Sequence, residues 1–257
     1  MLYTITILTA LLVAAIYPLC FWISANDPLK NGFHKFHIGL PLVLAGTLCT
    51  YLLLHDFPFS VRATAAGWLL VFSMLSLFYW NKPFCDHRIM TLPVLLGVVC
   101  YIFLQNHLIG YSAPKVFVGL LSGLIFCATL FAMNLGHWYL NVHGLPVAHL
   151  IRMTKILASL FAVRLCWDAF ALLSMSTFHQ GVALRLFEYL LTLDGFLMSV
   201  GIFFGTLFPF VSLYFVLGVL KLKNTQAATG ILYVTLVSVL LGDMAYKYYL
   251  IKFGIVL

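Results

Sequence analysis

Charge is what this 257-residue chain has least of. Asp, Glu, Lys and Arg together make up 8% of it, against about a quarter in soluble domains. So few charges cannot cover a water-facing surface, which excludes a soluble enzyme or globular binding module. The net charge of +7 is spread thinly, with no basic run or stripe, and this argues against nucleic acid as a partner. No CxxC or CxxCH is present, so a thioredoxin-like centre and c-type haem attachment are both unsupported. Of the six cysteines, five fall inside apolar runs, where Cys behaves as a small buried hydrophobe. GxSxG, a P-loop, a dinucleotide fingerprint and HExxH are all missing. There is no fixed-period repeat and no low-complexity segment.

What is there is apolar. Hydrophobic residues account for 63% of the chain and aromatics for 16%, and the mean hydropathy is +1.07. In lipid the backbone must satisfy its own hydrogen bonds, leaving helices or closed barrels. The long continuous runs lack the alternation of barrel strands, about ten residues at a time. The expectation is an all-α integral membrane protein, a single polytopic domain over residues 1–257 with the lipid bilayer as its first partner.

The breakers divide the chain into eight spans joined by short loops, at about 3–24, 36–55, 63–81, 89–110, 116–140, 150–176, 195–220 and 225–250. The first has no basic residues before it. Its length of about 20 suits a crossing rather than a signal peptide, although Ile-Ser-Ala before Asn26 imitates a cleavage site. Residues 182–219 are too long for one simple crossing, since such a helix would reach roughly 57 Å against a core of about 30 Å. Arg185, Glu188 and Thr192 at i, i+3 and i+7 predict an amphipathic helix lying in the interface before span seven. One strongly tilted helix is the competing reading. Asn224 or Thr225 is expected to cap the last helix.

Basic residues orient the bundle. Lys30, Lys35, Lys82, Arg88, Arg152, Lys155, Lys221 and Lys223 fall on one side. Arg62, Lys115, Arg185, Lys247 and Lys252 fall on the other. The positive-inside bias makes the richer side cytoplasmic and puts both termini outside.

The uniform greasiness breaks at Met133–Arg152, MNLGHWYLNVHGLPVAHLIR. Histidine is the commonest metal ligand and a frequent proton carrier, and three stand here. Haem b needs imidazoles on facing helices at matched depth. His37 with His137, and His55 with His107, would supply two layers near opposite boundaries, although His37 and His55 are about 27 Å apart along one helix. His137, His143 and His149 are a candidate metal set, with Cys85, Asp86 or His87 as further ligands. Their spacing matches no zinc motif. The narrower expectation is that His137, with Asn134 and Trp138, faces the bundle interior, while His143 and His149 belong to the wet loop.

Ionisable groups inside spans point to function. Arg164 and Asp168 share one helical face at i and i+4. Asp243 and Lys247 repeat that spacing. Asp194, with no local partner, is the candidate proton-handling or quinone-contacting carboxylate. Arg164, Asp168 and Asp194 are thus the candidate reactive set. These residues support three functional readings. The first is an integral subunit of a respiratory or other redox complex, binding haem b or a quinone beside other membrane subunits. The second is a small-solute or proton-coupled transporter. The third is a membrane metalloenzyme using the cytoplasmic-face histidines. A purely structural subunit lies beneath all three.

Overall fold

A computed structural model describes residues 1–24, 32–82, 85–142, 146–179 and 181–257. Eight of the described helices are long and apolar enough to cross a membrane, and the chain is an integral, multi-pass, all-α membrane protein. The long helices are α1 (Leu2–Ile16), α2 (Phe33–Leu54), α3 (Phe59–Trp80), α4 (Thr91–Ile109), α5 (Ala113–Asn141) and α6 (Ala148–Ser174). A hairpin of β1 (Ser176–His179) and β2 (Val182–Arg185) follows, then α7 (Leu186–Leu190), α8 (Phe196–Ile202), α9 (Phe208–Lys221) and α10 (Thr225–Phe253). The first span continues past α1 as a tighter 3₁₀ stretch over Tyr17–Ser24. Pro18 lies within it and has no N–H to give the carbonyl one turn back. Asn224 caps α10 as expected, its side chain accepting from Ala227 N at 2.9 Å.

The chain's packing groups it into two compact units, residues 2–127 and 128–257. In the first, α1 is buried along most of its length and packs on α2 and α4, while α3 packs on α2 and α4. Gly97 brings α4 close enough that a methyl group there would press on Ala15 and Trp68. His37 is enclosed here: the Tyr17 hydroxyl lies 2.7 Å from its Nδ1 and the Phe33 ring 4.0 Å from its own.

In the second unit α10 is the element on which α8 and α9 pack, and α6 packs on α9. Leu157, Phe161, Arg164, Asp168 and Ala171 are the buried stripe of α6, with the alternating three- and four-residue spacing of one helical face. Between α8 and α9 the seventh span widens into a π turn over Phe203–Leu207. Pro209, two residues on, cannot donate to the Gly205 carbonyl and crowds it, which gives the turn its local cause. Phe204 O accepts instead from Ser238 Oγ at 2.6 Å. Gly201 and Gly205 face Ala245 and Gly242, a small-residue crossing that lets two spans come into backbone contact.

The region before span seven differs from the sequence reading. Residues 176–179 and 182–185 pair as the antiparallel hairpin, and Gly181, just before its second strand, has φ of +82°, a conformation that suits glycine. The helix expected from Val182 is confined to Leu186–Leu190. Glu188 reaches back to accept from Arg185 N at 3.1 Å. Arg185 and Glu188 are therefore joined by a cap rather than aligned along an amphipathic face.

Candidate functional site

Arg164 and Asp168 are brought together with polar side chains of two further spans, the seventh and the eighth, inside the second unit. Arg164 Nε lies 3.0 Å from Asp168 Oδ1. Asp168 Oδ2 accepts from the Thr206 hydroxyl at 2.9 Å and from the Tyr246 hydroxyl at 2.8 Å. Those two hydroxyl oxygens are themselves 2.7 Å apart. The Arg164 guanidinium stands 3.8 Å above the centre of the Tyr246 ring, a cation–π contact. One turn away on α10, Lys247 Nζ donates to both carboxylate oxygens of Asp243. Arg164, Asp168, Asp243 and Lys247 are between 1% and 5% exposed. Two cations and two anions are thus withdrawn from solvent as a set with no net formal charge, which limits the penalty of holding them in lipid.

The Oδ2 corner has a chemical consequence. Thr206 and Tyr246 supply two hydroxyl protons for three oxygen–oxygen contacts. With Asp168 ionised, one contact lacks a proton of its own. A third proton on the carboxylate would complete the ring, since each oxygen could then donate once and accept once. Thr206 occupies this corner because the π turn carries it there, and Gly205 beside it lets α10 approach.

The other predicted residues fall elsewhere. Asp194 lies before α8 with its carboxylate 63% exposed and 3.6 Å from His179 Nδ1; its backbone carbonyl accepts from Tyr249. It does not join Arg164 and Asp168. Beside it, burial first and the charge of Asp194 next push the Tyr189 hydroxyl above its usual range. His55 is exposed at the end of α2, its Nδ1 3.0 Å from Tyr51 O. His107 is exposed at the end of α4, with the Phe57 ring 5.7 Å away.

His137 does not face inward, contrary to the sequence reading. It is exposed on α5, its Nδ1 3.2 Å from the Tyr233 hydroxyl. The inward positions go to Phe131, Ala132, Leu135, Gly136 and Tyr139, while Asn134 and Trp138 are half-buried. Gly136 permits contact with Thr229, whose hydroxyl a methyl group there would strike. His149 corrects the reading the other way: it sits inside α6, buried on the same stripe as Leu150 and Met153, because the helix starts at Ala148. His143 lies outside the described residues. Among the described residues no three His, Cys, Asp or Glu side chains converge on a metal position. Burial, reinforced by Asp86, pushes the Cys85 thiol up to about 12, the reverse of what a thiolate ligand requires.

Tyr233 also lines an apolar groove of about 450 Å³ with Met133, Phe204, Phe208, Val237 and Leu241. In the first unit, sequence reasoning passed over Gln105. It is 1% exposed, and neither amide atom has a partner among the described residues. An unsatisfied buried polar group costs about 1–3 kcal/mol, so Gln105→Leu is expected to raise the melting temperature in detergent by a few degrees. A fall would identify the amide as a group with work to do. A Gln in an apolar span was the available signal. Thr206 and Tyr246 gave none, being ordinary in a chain with 13 tyrosines; only the glycines at 205 and 242 hinted at the crossing that joins them.

Comparison with protein-family models, with curated proteins and with solved structures finds no match to this chain.

Proposed function

We propose that the chain is a proton-coupled carrier of a small solute, with Asp168 as the proton site and Arg164 as its electrostatic partner. The observation that carries this reading is the three-oxygen ring at Asp168, which has two hydroxyl protons and a place for a third. Ionisable groups within spans mark ion pathways and proton relays, and carriers place such sites at interrupted helices near the membrane midplane. Thr206 stands in the π turn that interrupts the seventh span. Proton arrival at Asp168 would discharge the partner of Arg164 and free the guanidinium for an anionic solute or for Asp243. In this reading both termini lie on the non-cytoplasmic side, as the distribution of Lys and Arg supports.

The test is proton-driven uptake by the purified protein in liposomes holding a pH-sensitive dye, screened with small carboxylates, amino acids and inorganic cations. Wild type is expected to acidify the lumen with at least one of them. Asp168→Asn, which keeps the acceptor but removes the charge, is expected to lose at least tenfold of that rate. Equal rates in wild type and a folded Asp168→Asn would overturn the proposal, as would no uptake with any solute.

A second reading is favoured by the Tyr233 groove. An apolar cleft lined by Tyr233, whose hydroxyl meets the His137 imidazole at 3.2 Å, suits a lipid-soluble ring such as a quinone. The chain would then be a subunit of a redox complex with partner membrane subunits. Quinone retained through purification by wild type and lost from Tyr233→Phe and His137→Ala would favour it over the carrier.

A further inference from the structure

We propose that the groove between α6 and α9, on a different face from the Asp168 ring, is a binding site for an anionic phospholipid. It has a volume of about 680 Å³ and is lined by Ile151, Lys155, Tyr214, Phe215, Gly218 and Lys221, in the size range of small-molecule sites. Its chemistry is split. The two lysines stand at the end where α6 begins and α9 finishes, and apolar side chains run inward from them.

The depth of Lys155 fits a headgroup. With its 27 residues, α6 is about 40 Å long, some 10 Å more than the hydrocarbon core. The stretch from Ile156 to Ser174 alone is about 28 Å. A core-spanning placement of that stretch leaves the Lys155 ammonium at the hydrocarbon boundary, where a lipid phosphate sits. Lys221, the last residue of α9, shares that level. Both side chains are exposed, and among the described residues no ion pair engages either one.

Charge complementarity selects the lipid. Arg152, Lys155, Lys221 and Lys223 all lie at this end of the second unit. The unit's four acidic residues do not: Asp168 and Asp243 are locked in the buried set, and Glu188 and Asp194 follow the hairpin at the other end of α6. Basic pockets between spans are the usual receptors for anionic headgroups. Gly218 keeps the wall of the groove open, since a Cβ built there meets nothing within 4 Å.

Spin-labelled phosphatidylglycerol and phosphatidylcholine, each titrated into the purified protein in detergent, test the site. Wild type is expected to prefer phosphatidylglycerol by about fivefold or more, fivefold being the effect of roughly one lysine–headgroup contact. Lys155→Gln/Lys221→Gln is expected to bring the two lipids level. Gly218→Leu fills the apolar wall while leaving both lysines, so it should weaken phosphatidylglycerol severalfold without lowering the melting temperature. Equal binding of the two lipids by wild type would overturn the proposal. So would a preference that survives in the double variant, or competition by soluble glycerol phosphate as effective as that of the whole lipid.

Discussion

Asp168→Leu is expected to destabilise the protein by about 3–5 kcal/mol, the cost of leaving one partner of a buried ion pair alone. For a chain of this size that is a fall in Tm on the order of 10 °C. Arg164 is 1% exposed, so its guanidinium cannot reach water when its carboxylate is removed. The Thr206 and Tyr246 hydroxyls lose their common acceptor at the same time. The double variant Arg164→Leu/Asp168→Leu is expected to recover most of the loss, because replacing both charges with apolar groups is often neutral. Thermal melts of the three proteins in one detergent decide the matter. A single variant as stable as wild type would mean that the guanidinium has another buried acceptor. A double variant no better than the single would assign the loss to the hydroxyls. The comparison also separates stability from function: the double variant should be folded and, on the carrier reading, inactive.

The second large effect is expected at the crossing of α10 with the seventh span. A Cβ built on Gly242 falls on the Gly205 backbone. Backbone cannot move aside as a side chain can, so Gly242→Val must push the helices apart. The cost is put at about 3 kcal/mol or more, the upper end for overpacking. It should be accompanied by loss of whatever activity depends on the Asp168 ring, because Thr206 and Tyr246 flank the same crossing. Gly230→Ala is the control on the same helix. A Cβ there meets nothing within 4 Å, and exchanging Gly for Ala inside a helix gains about 0.5–1 kcal/mol. Melts that move in opposite directions for these two glycines would locate the requirement in the close approach; equal shifts would place it in helix propensity alone.

The helices were legible in the sequence because lipid allows so few structures. Runs ended by Pro58, Lys82-Pro83 and Pro114 mark boundaries that the observed spans meet within a few residues. Half of the buried site was legible for the same reason: an Arg and an Asp at i and i+4 stand out in apolar sequence. Its other half was not. Thr206 reaches Asp168 through a π turn, and a change of helical pitch leaves no mark in a hydrophobicity pattern. His137 was misjudged because Asn134 and Trp138 lie on its side of α5, and polar neighbours do not say which side is inward; Leu135, Gly136 and Tyr139 decided that by packing. Asp194 looked isolated only because its neighbour His179 comes back to it through a hairpin.

The π turn has one more consequence. It holds an extra residue per turn, and Ser238 engages the carbonyl of Phe204 that regular helix would claim. Sliding the backbone into α register by one residue would rotate one side of the span against the other by about 100°. Thr206 would then swing off Asp168, while the spare carbonyl returned to its own helix. Pitch and the three-oxygen ring are thus two ends of one lever: whatever empties the Oδ2 corner removes a reason for the wide turn, and whatever relaxes the turn empties the corner.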